Sequence, residues 1–322
     1  MCAISPDFVV VTPVFEDAEA SARLFDELSA TFGAKVYVVA VDDGSVQQPV
    51  DLAKMSAVGL NGTVIRLRRN VGHQRAIAIG IGYVAEHMGT AQVVVMDSDG
   101  EDLPTSIPEL LNELSAPDVD LVVAQRKTRV ETLRFKAFYF LYRTLFKVLT
   151  GRQISFGNFM AIKPAAVRRL TSMQELWIHV ASCVLSSRLR IRICALDRGP
   201  RYIGQSKMSF VDLALHGFRG VMVFAEDVLV RVGIASALIG GLTVVAGLAT
   251  IVLKVSGFAT PGWFSVALGI LFVVFLQTGS LALISLMLTG VSKSGGLSHS
   301  PYAQFIDYVE HSSPLSICQH CQ

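Results

Sequence analysis

Charge is what this chain has least of. Of its 322 residues 17% are charged, against 52% hydrophobic, and the formal net charge is +2. A net charge that small says little about partners, and no nucleic acid is expected among them. The scarcity is concentrated: no ionisable side chain lies between Arg231 and Lys254, and none between Lys254 and Lys293. A bilayer core takes roughly 20 apolar residues as a helix, and helices of soluble cores rarely stay uncharged for so long. Two membrane spans are therefore expected, at about residues 232–253 and 263–288. The short link from Lys254 to Gly262 makes them a hairpin. Arg219, Arg231 and Lys293 flank its outer ends, against Lys254 in the link. The positive-inside rule then places both termini in the cytoplasm of a multi-pass inner-membrane protein.

The chain also lacks a signal-peptide pattern near Met1, where Phe8–Pro13 already reads as a strand after a very short leader. It shows neither an internal repeat nor a low-complexity linker. Its 5 cysteines are scattered, and a cytoplasmic domain would keep them reduced. Cys318-Gln319-His320-Cys321 resembles half a zinc site, but no second pair lies nearby, so a loose tail is expected there.

What the first part does have is alternation. Phe8–Thr12, Lys35–Val41, Thr63–Leu67, Ala91–Met96 and Leu121–Ala124 read as strands, with helices over Asp17–Phe32 and about Gln74–His87. This rhythm is that of an α/β fold with a doubly wound, mostly parallel sheet. Acidic or polar residues follow strand after strand, which lines them along the sheet edge where such folds take ligands. The sharpest case is Val93-Val94-Val95-Met96-Asp97-Ser98-Asp99, an apolar run ending in two close carboxylates. One carboxylate there could cap a helix. Two usually need a cation, and an oxygen-ligated divalent metal completed by a nucleotide diphosphate answers that need. Further on, Leu133–Leu149 is aromatic and basic with no acid. It suits an interfacial helix with its rings among lipid headgroups, or a core helix. Phe210–Phe224 is a second interfacial candidate, leading into the first span.

Five patterns follow in order along the chain. They are Thr12-Pro13-Val14-Phe15-Glu16-Asp17, Asp42-Asp43-Gly44-Ser45, Arg69-Asn70-Val71-Gly72-His73, Asp97-Ser98-Asp99-Gly100-Glu101 with Pro104, and Arg201-Tyr202-Ile203-Gly204-Gln205-Ser206-Lys207. Together they resemble the family 2 glycosyltransferases of the GT-A fold. Within that family the resemblance is to the polyprenyl-phosphate, dolichyl-phosphate mannosyltransferase-like branch. It covers nearly the whole chain, including the two C-terminal spans.

The resemblance implies roles. Pro13, Phe15 and Asp17 fall in the loop that cradles base and ribose, with Phe, Glu and Asp where the family has Tyr, Asn and Glu. Asp42 and Asp43 stand where a carboxylate can accept from uracil or guanine, although alone the tetrapeptide reads as a turn. Asn70 and Gly72 open a helix whose amides face the donor; His73 reads as a general base or as a hydrogen-bonding group at the helix start. Asp97 and Ser98 would lie against the nucleotide. Asp99 would hold Mg2+ or Mn2+, with Asp97 and Glu101 beside it, Glu101 replacing a frequent Gln. Arg201 and Lys207 suit a diphosphate, one as a planar fork and one as a point charge. Asp97, Asp99, Arg201 and Lys207 form the implied catalytic set. Arg126 and Arg129 match an Arg-x-x-Arg acceptor loop and, with Ser206, would hold the lipid phosphate; Arg126 borders the donor as well. Ser155–Phe159 resembles the branch's Gly-Asp-Phe segment, with Asn158 in place of the acid. Asn158 is no general base, and a phosphate monoester with a second pKa of about 6 needs none.

The implied reaction is inverting transfer of one sugar from a UDP- or GDP-sugar to an undecaprenyl-type polyprenyl phosphate at the cytoplasmic membrane face. The expected organisation is a catalytic domain over 1–209, a juxtamembrane helix over 210–231, a hairpin over 232–289 and a cytoplasmic tail over 290–322. Two alternatives stand beside it. One is a membrane-anchored scaffold or partner subunit that kept the fold without turnover. The other is a polysaccharide synthase, whose Gln-x-x-Arg-Trp motif is matched only by Gln174-Glu175-Leu176-Trp177, without the Arg. Gly240-Gly241 and Gly247 permit the close helix contact of a homo-oligomer without requiring it.

Overall fold

The computed structural model describes residues 6–89, 91–126, 133–204, 210–258, 262–294 and 302–312. The chain forms two compact units, one of residues 1–140, 154–223 and 299–322, the other of 141–153 and 224–298.

The first unit starts with β1 (Phe8–Val14), α1 (Ala18–Phe32), β2 (Val36–Asp42), α2 (Leu52–Ala57), β3 (Asn61–Leu67) and α3 (His73–His87). Then come β4 (Gln92–Val95), α4 (Ile107–Leu114), β5 (Leu121–Arg126) and α5 (Leu133–Thr150), which runs on into the second unit. After it follow β6 (Met160–Ile162), α6 (Pro164–Thr171), α7 (Val180–Ser186), β7 (Ile191–Leu196) and α8 (Phe210–Met222). β1 and β2 are buried at every position, so their near-continuous apolar runs reflect helices on both faces of the sheet. Alternation sorts their side chains between two layers. Val9, Val11, Val39 and Val41 pack with Ile77 and Ile79 of α3 and Val184 of α7. Phe8, Val10, Val38 and Ala40 pack with Leu24 and Leu28 of α1 and Leu110 of α4.

The second unit contains α9 (Ala225–Val255) and α10 (Trp263–Ser294), which pack against each other. Both are long and apolar enough to cross a bilayer. Leu238, Leu242, Leu248, Phe272 and Leu286 are exposed along them, as lipid-facing side chains would be. Their hydroxyls bond back to the helix itself: Thr243 to Gly240 O, Thr250 to Ala246 O, Thr278 to Val274 O and Ser280 to Leu276 O. Those four hydroxyls are thereby satisfied without water.

After α10 the chain returns to the first unit as β8 (Ile306–His311). Strand order is β7-β5-β6-β4-β1-β2-β3-β8, a mixed sheet of 8 strands. The run β4-β1-β2-β3 is parallel, as is β5-β7. β6 pairs antiparallel with β4 and β5, and β8 antiparallel with β3. Two boundaries differ from expectation. Residues 225–231, read as juxtamembrane, belong to α9. The expected tail over 290–322 contains a sheet strand, because an edge strand needs only one partner and finds it in β3, far back in sequence. Cys318 and Cys321 lie outside the described residues.

Chain order reverses at β1, with β2 on one side and β4 on the other. Ligands of open α/β sheets bind outside the strand ends at such a switch point. Phe15–Asp17 and Asp97–Asp99 follow the two strands that border it.

Candidate active site

The loops after β1 and β2 are tied together by a residue the sequence reading passed over. Glu16 takes a left-handed φ of 48°. Its N–H donates to Ser45 Oγ at 2.8 Å, and its carboxylate accepts the amides of Val46, Gln47 and Gln48 at 2.7, 3.0 and 2.7 Å. Charge-assisted bonds of this kind fix a loop firmly. The available signal was an acid one position ahead of the expected Asp17. Asp17 stands at the N-cap of α1 without a capping bond from its side chain. Pro13 is buried within β1 opposite Val41, whereas Phe15 is 44% exposed at the strand end.

The two acids after β2 face different ways. Asp42 is 1% exposed and points back into its own loop. It accepts from Ser45 N and Val50 N, each at 2.9 Å, and pairs with Arg66 Nη1 at 2.5 Å. Arg66 also meets Glu310 of β8 at 2.9 Å. Asp43 accepts the amides of Val71 and Gly72 at 2.7 and 2.9 Å, which ties the β2 edge to the start of α3. Burial pushes its pKa up to about 6. Gly44 is required where it stands: with φ 73°, a Cβ there would lie 2.5 Å from the backbone carbon of Arg69. That contact holds exposed Asn70 beside the loop.

At the β4 edge the carboxylates crowd. Asp97 Oδ1 is buried without a hydrogen bond, although His73 Nε2 stands 3.3 Å away. Burial opposes its charge, but His73, Arg198 and Arg201 together hold its pKa below the usual carboxylate range. Asp99 is shifted the other way, by burial and by the Asp97 charge. Asp102, also missed from sequence, is 9% exposed and accepts the Asp97 N–H at 3.0 Å. Burial beside Asp97 pushes it up to about 8. Ser98 is 7% exposed.

A basic loop lies across these acids. Arg201 Nη2 is 2.7 Å from Asp99 and its Nε 3.3 Å from Glu101, which also pairs with Arg198. Backbone bonds stitch the two segments, Gly199 N to Glu101 O at 3.0 Å and Tyr202 N to Asp99 O at 2.8 Å. Gly100 permits this closeness: at φ 89°, a Cβ would meet the Tyr202 ring at 2.7 Å. Among the described residues no group of three or more His, Cys, Asp or Glu side chains is arranged to hold a metal ion by itself. Glu101 is spent on the two arginines. The orphaned Oδ1 of Asp97 and the Asp99 carboxylate fit a hard cation that takes its remaining oxygens from a substrate. Arg126 ends β5 at the surface, while Arg129, Ser206 and Lys207 lie outside the described residues.

Asn158 has a structural position of its own. Its Oδ1 is 3.3 Å from Gln74 Nε2, and its Nδ2 3.1 Å from His73 Nε2. Gln74, 4% exposed, accepts the Val180 N–H at 2.7 Å. His73 is thus braced from the start of α7. Burial works against its charge, yet Asp97, Asp43 and Asp99 hold its pKa above the ordinary histidine value.

A switch point lined with acids and crossed by an arginine loop marks an α/β enzyme built for an anionic, phosphate-bearing ligand. Residues 9–177 match the model of Glycosyl transferase family 2, and the chain belongs to that family. It is 24% identical over 96% of its length, and 95% of the other's, to an uncharacterized glycosyltransferase, YkoT, of Bacillus subtilis (strain 168). It is 25% identical to the undecaprenyl-phosphate 4-deoxy-4-formamido-L-arabinose transferase of Klebsiella pneumoniae (strain 342), covering 87% of this chain and 86% of that one. A solved structure, the glucosyl-3-phosphoglycerate synthase of Mycobacterium tuberculosis with Mn2+, UDP and phosphoglyceric acid, shares the fold at 15% identity. The TM-score is 0.50, over 70% of this chain and 78% of that one. The chain is therefore a glycosyltransferase whose relatives include polyprenyl-phosphate sugar transferases.

Proposed function

We propose that this enzyme moves one sugar from a nucleoside-diphosphate sugar to a polyprenyl phosphate at the cytoplasmic face of the membrane. The observation that carries the reading is the closure of Arg201 and Arg198 over Asp99 and Glu101 at the β4 edge. Cations and carboxylates there meet within one side-chain length, as binding of a diphosphate with its metal requires. The Klebsiella relative, named for an undecaprenyl-phosphate acceptor, supports the acceptor class. The UDP and Mn2+ of the mycobacterial fold neighbour agree with the donor side.

A divalent ion held by Asp99 and Asp97 would supply charge neutralisation to the leaving diphosphate. Arg201, released from Asp99, would share that task with Lys207. Asp43 and Glu16 keep the loops after β1 and β2 in place for the base, with exposed Phe15 offering a ring face. The acceptor phosphate oxygen forms a bond to the anomeric carbon as the bond from that carbon to the diphosphate breaks, and the configuration inverts. The phosphate is already ionised at neutral pH, so positioning and charge shielding suffice and Asn158 needs no basic role.

Connectivity supports this sidedness. β8 follows α10 yet shares a sheet with strands that precede α9, so two crossings bring the chain back to the side it left. The need for nucleotide sugars and the flanking Arg219, Arg231 and Lys293 support a cytoplasmic assignment of that side.

Membranes containing the protein, given undecaprenyl phosphate, Mn2+ and a panel of radiolabelled UDP- and GDP-sugars, should move label into the organic phase with one donor. Asp99→Ala should abolish that transfer while leaving a folded, membrane-inserted protein. Undiminished transfer by that variant would sink the assignment of Asp99.

A further inference from the structure

Outside the acid-lined edge, two histidines among the described residues meet ring to ring. His179 precedes α7 and is 3% exposed. Its Nε2 lies 3.1 Å from Nε2 of His216 on α8, with ring centroids 4.5 Å apart. Its Nδ1 accepts the backbone N–H of Ser182 at 3.1 Å. An amide N–H can only donate, so Nδ1 carries no proton and the proton of His179 sits on Nε2. His216 Nε2 must accept it. His216 is then neutral and carries its own proton on Nδ1, at the ring edge turned from its partner. Burial comes first, then nearby positive charge, in holding both imidazoles below the ordinary pKa. A backbone amide thus fixes, through two rings, one N–H donor on α8.

That donor is near the chemistry. α8 rests on α7 and α7 on α3. Val180, next to His179, is bonded to Gln74, and its neighbour His73 stands 3.3 Å from Asp97. His216 feels the charges of both His73 and Asp97. In sequence, α8 also leads directly to the first apolar helix.

We propose that His216 binds the phosphate of the membrane-borne acceptor, and that His179 is its positioning residue. The assignment rests on the acceptor class given above. An imidazole N–H held neutral suits a phosphoryl oxygen: it donates without adding another full charge beside His73 and Arg219. Arg219, one turn further along α8 and exposed, supplies the cation at the rim. With Arg198 and Arg201 assigned to the donor's diphosphate, His216 adds a neutral donor for the acceptor phosphate to the expected Arg126, Arg129 and Ser206.

The test is equilibrium binding to the full-length protein in nanodiscs, with undecaprenyl phosphate and UDP or GDP as separate probes. His216→Phe should weaken undecaprenyl phosphate binding at least tenfold and leave nucleotide affinity within twofold. His216→Gln, which keeps an N–H donor, should recover most of the loss. His179→Phe should raise the acceptor KM with little change in kcat. In the wild type, the His216 ring proton resonance should shift on adding undecaprenyl phosphate but not UDP, a readout independent of any variant's folding. Equal lipid affinity in wild type and His216→Phe, or an unmoved resonance with lipid bound, would overturn this inference alone. Loss of nucleotide affinity instead would place His216 on the donor side and overturn it too. No lipid-phosphate binding by the wild type would remove the acceptor class, and this inference with it.

Discussion

Replacing Asp42 by asparagine separates a residue that reads donor from one that holds the loop which does. The carboxylate is 1% exposed, and each of its hydrogen bonds given above goes to Ser45, Val50 or Arg66 of its own chain. Asparagine keeps the volume and one acceptor oxygen, loses the charge facing Arg66, and turns an NH2 group toward one of the two amides. A charge-assisted bond contributes about 1.5–3 kcal/mol, and a buried N–H left unsatisfied costs about 1–3 kcal/mol. Arg66 keeps Glu310, at 2.9 Å, so its guanidinium is not stranded. The expected cost is about 3–5 kcal/mol, in line with removing one member of a buried pair. For a domain of this size each kcal/mol moves the melting temperature by about 2–4 °C, giving a fall of about 6–20 °C. Circular dichroism of the detergent-solubilised chain reads it, with nucleotide affinity measured well below both transitions. An unchanged melting temperature together with lost nucleotide binding would refute the reasoning and make Asp42 a ligand of the base.

Gly100→Ala should strain a φ of 89° and drive a methyl group into the Tyr202 ring; transfer should fall at least tenfold and trypsin should cut faster at Arg198 and Arg201. Equal digestion rates in mutant and wild type would show that the two segments need no such closeness. Lys207→Ala should weaken nucleoside-diphosphate binding about tenfold by calorimetry, as loss of a charge-assisted contact does; unaltered affinity would take Lys207 out of the site. His179, pushed down to about 3 from 6.5 by burial, stays neutral in the folded chain while the unfolded chain takes up a proton. Stability should therefore fall as pH drops below 6.5, by about 2 kcal/mol at pH 5, and His179→Phe should flatten that part of the profile in urea unfolding.

Much of the architecture was legible because it rests on local pattern. Unbroken valine runs announced β1, β2 and β4, and uncharged stretches announced α9 and α10. β6 was hidden by its length, Met160–Ile162. β7 was hidden because its exposed positions are the apolar Ile193 and Ala195, which breaks the usual match of polarity to exposure. β8 was hidden by distance, since its register with β3 pairs residues such as Thr63 and His311. The same division holds in the site. That acids line one edge could be read from where they follow strands. What each acid holds could not, because Glu16 finds its amides 30 residues on and Asp42 turns inward while Asp43, its neighbour, reaches across to α3. The histidine pair carried no sequence signature at all, being an encounter of two helices.

The position of β8 bears on how the molecule is made. A ribosome releases every strand but the last before it has finished either apolar helix, so the sheet stays one strand short until the hairpin is synthesised and placed. During that interval β3 presents an open row of backbone donors and acceptors, a template for pairing with other chains, and Arg66 lacks Glu310. Completion of the sheet thereby waits until both apolar helices have been synthesised. Cutting the gene ahead of α9 to obtain a water-soluble enzyme would freeze the protein at that unfinished stage, and aggregation rather than activity is the outcome such a truncation invites.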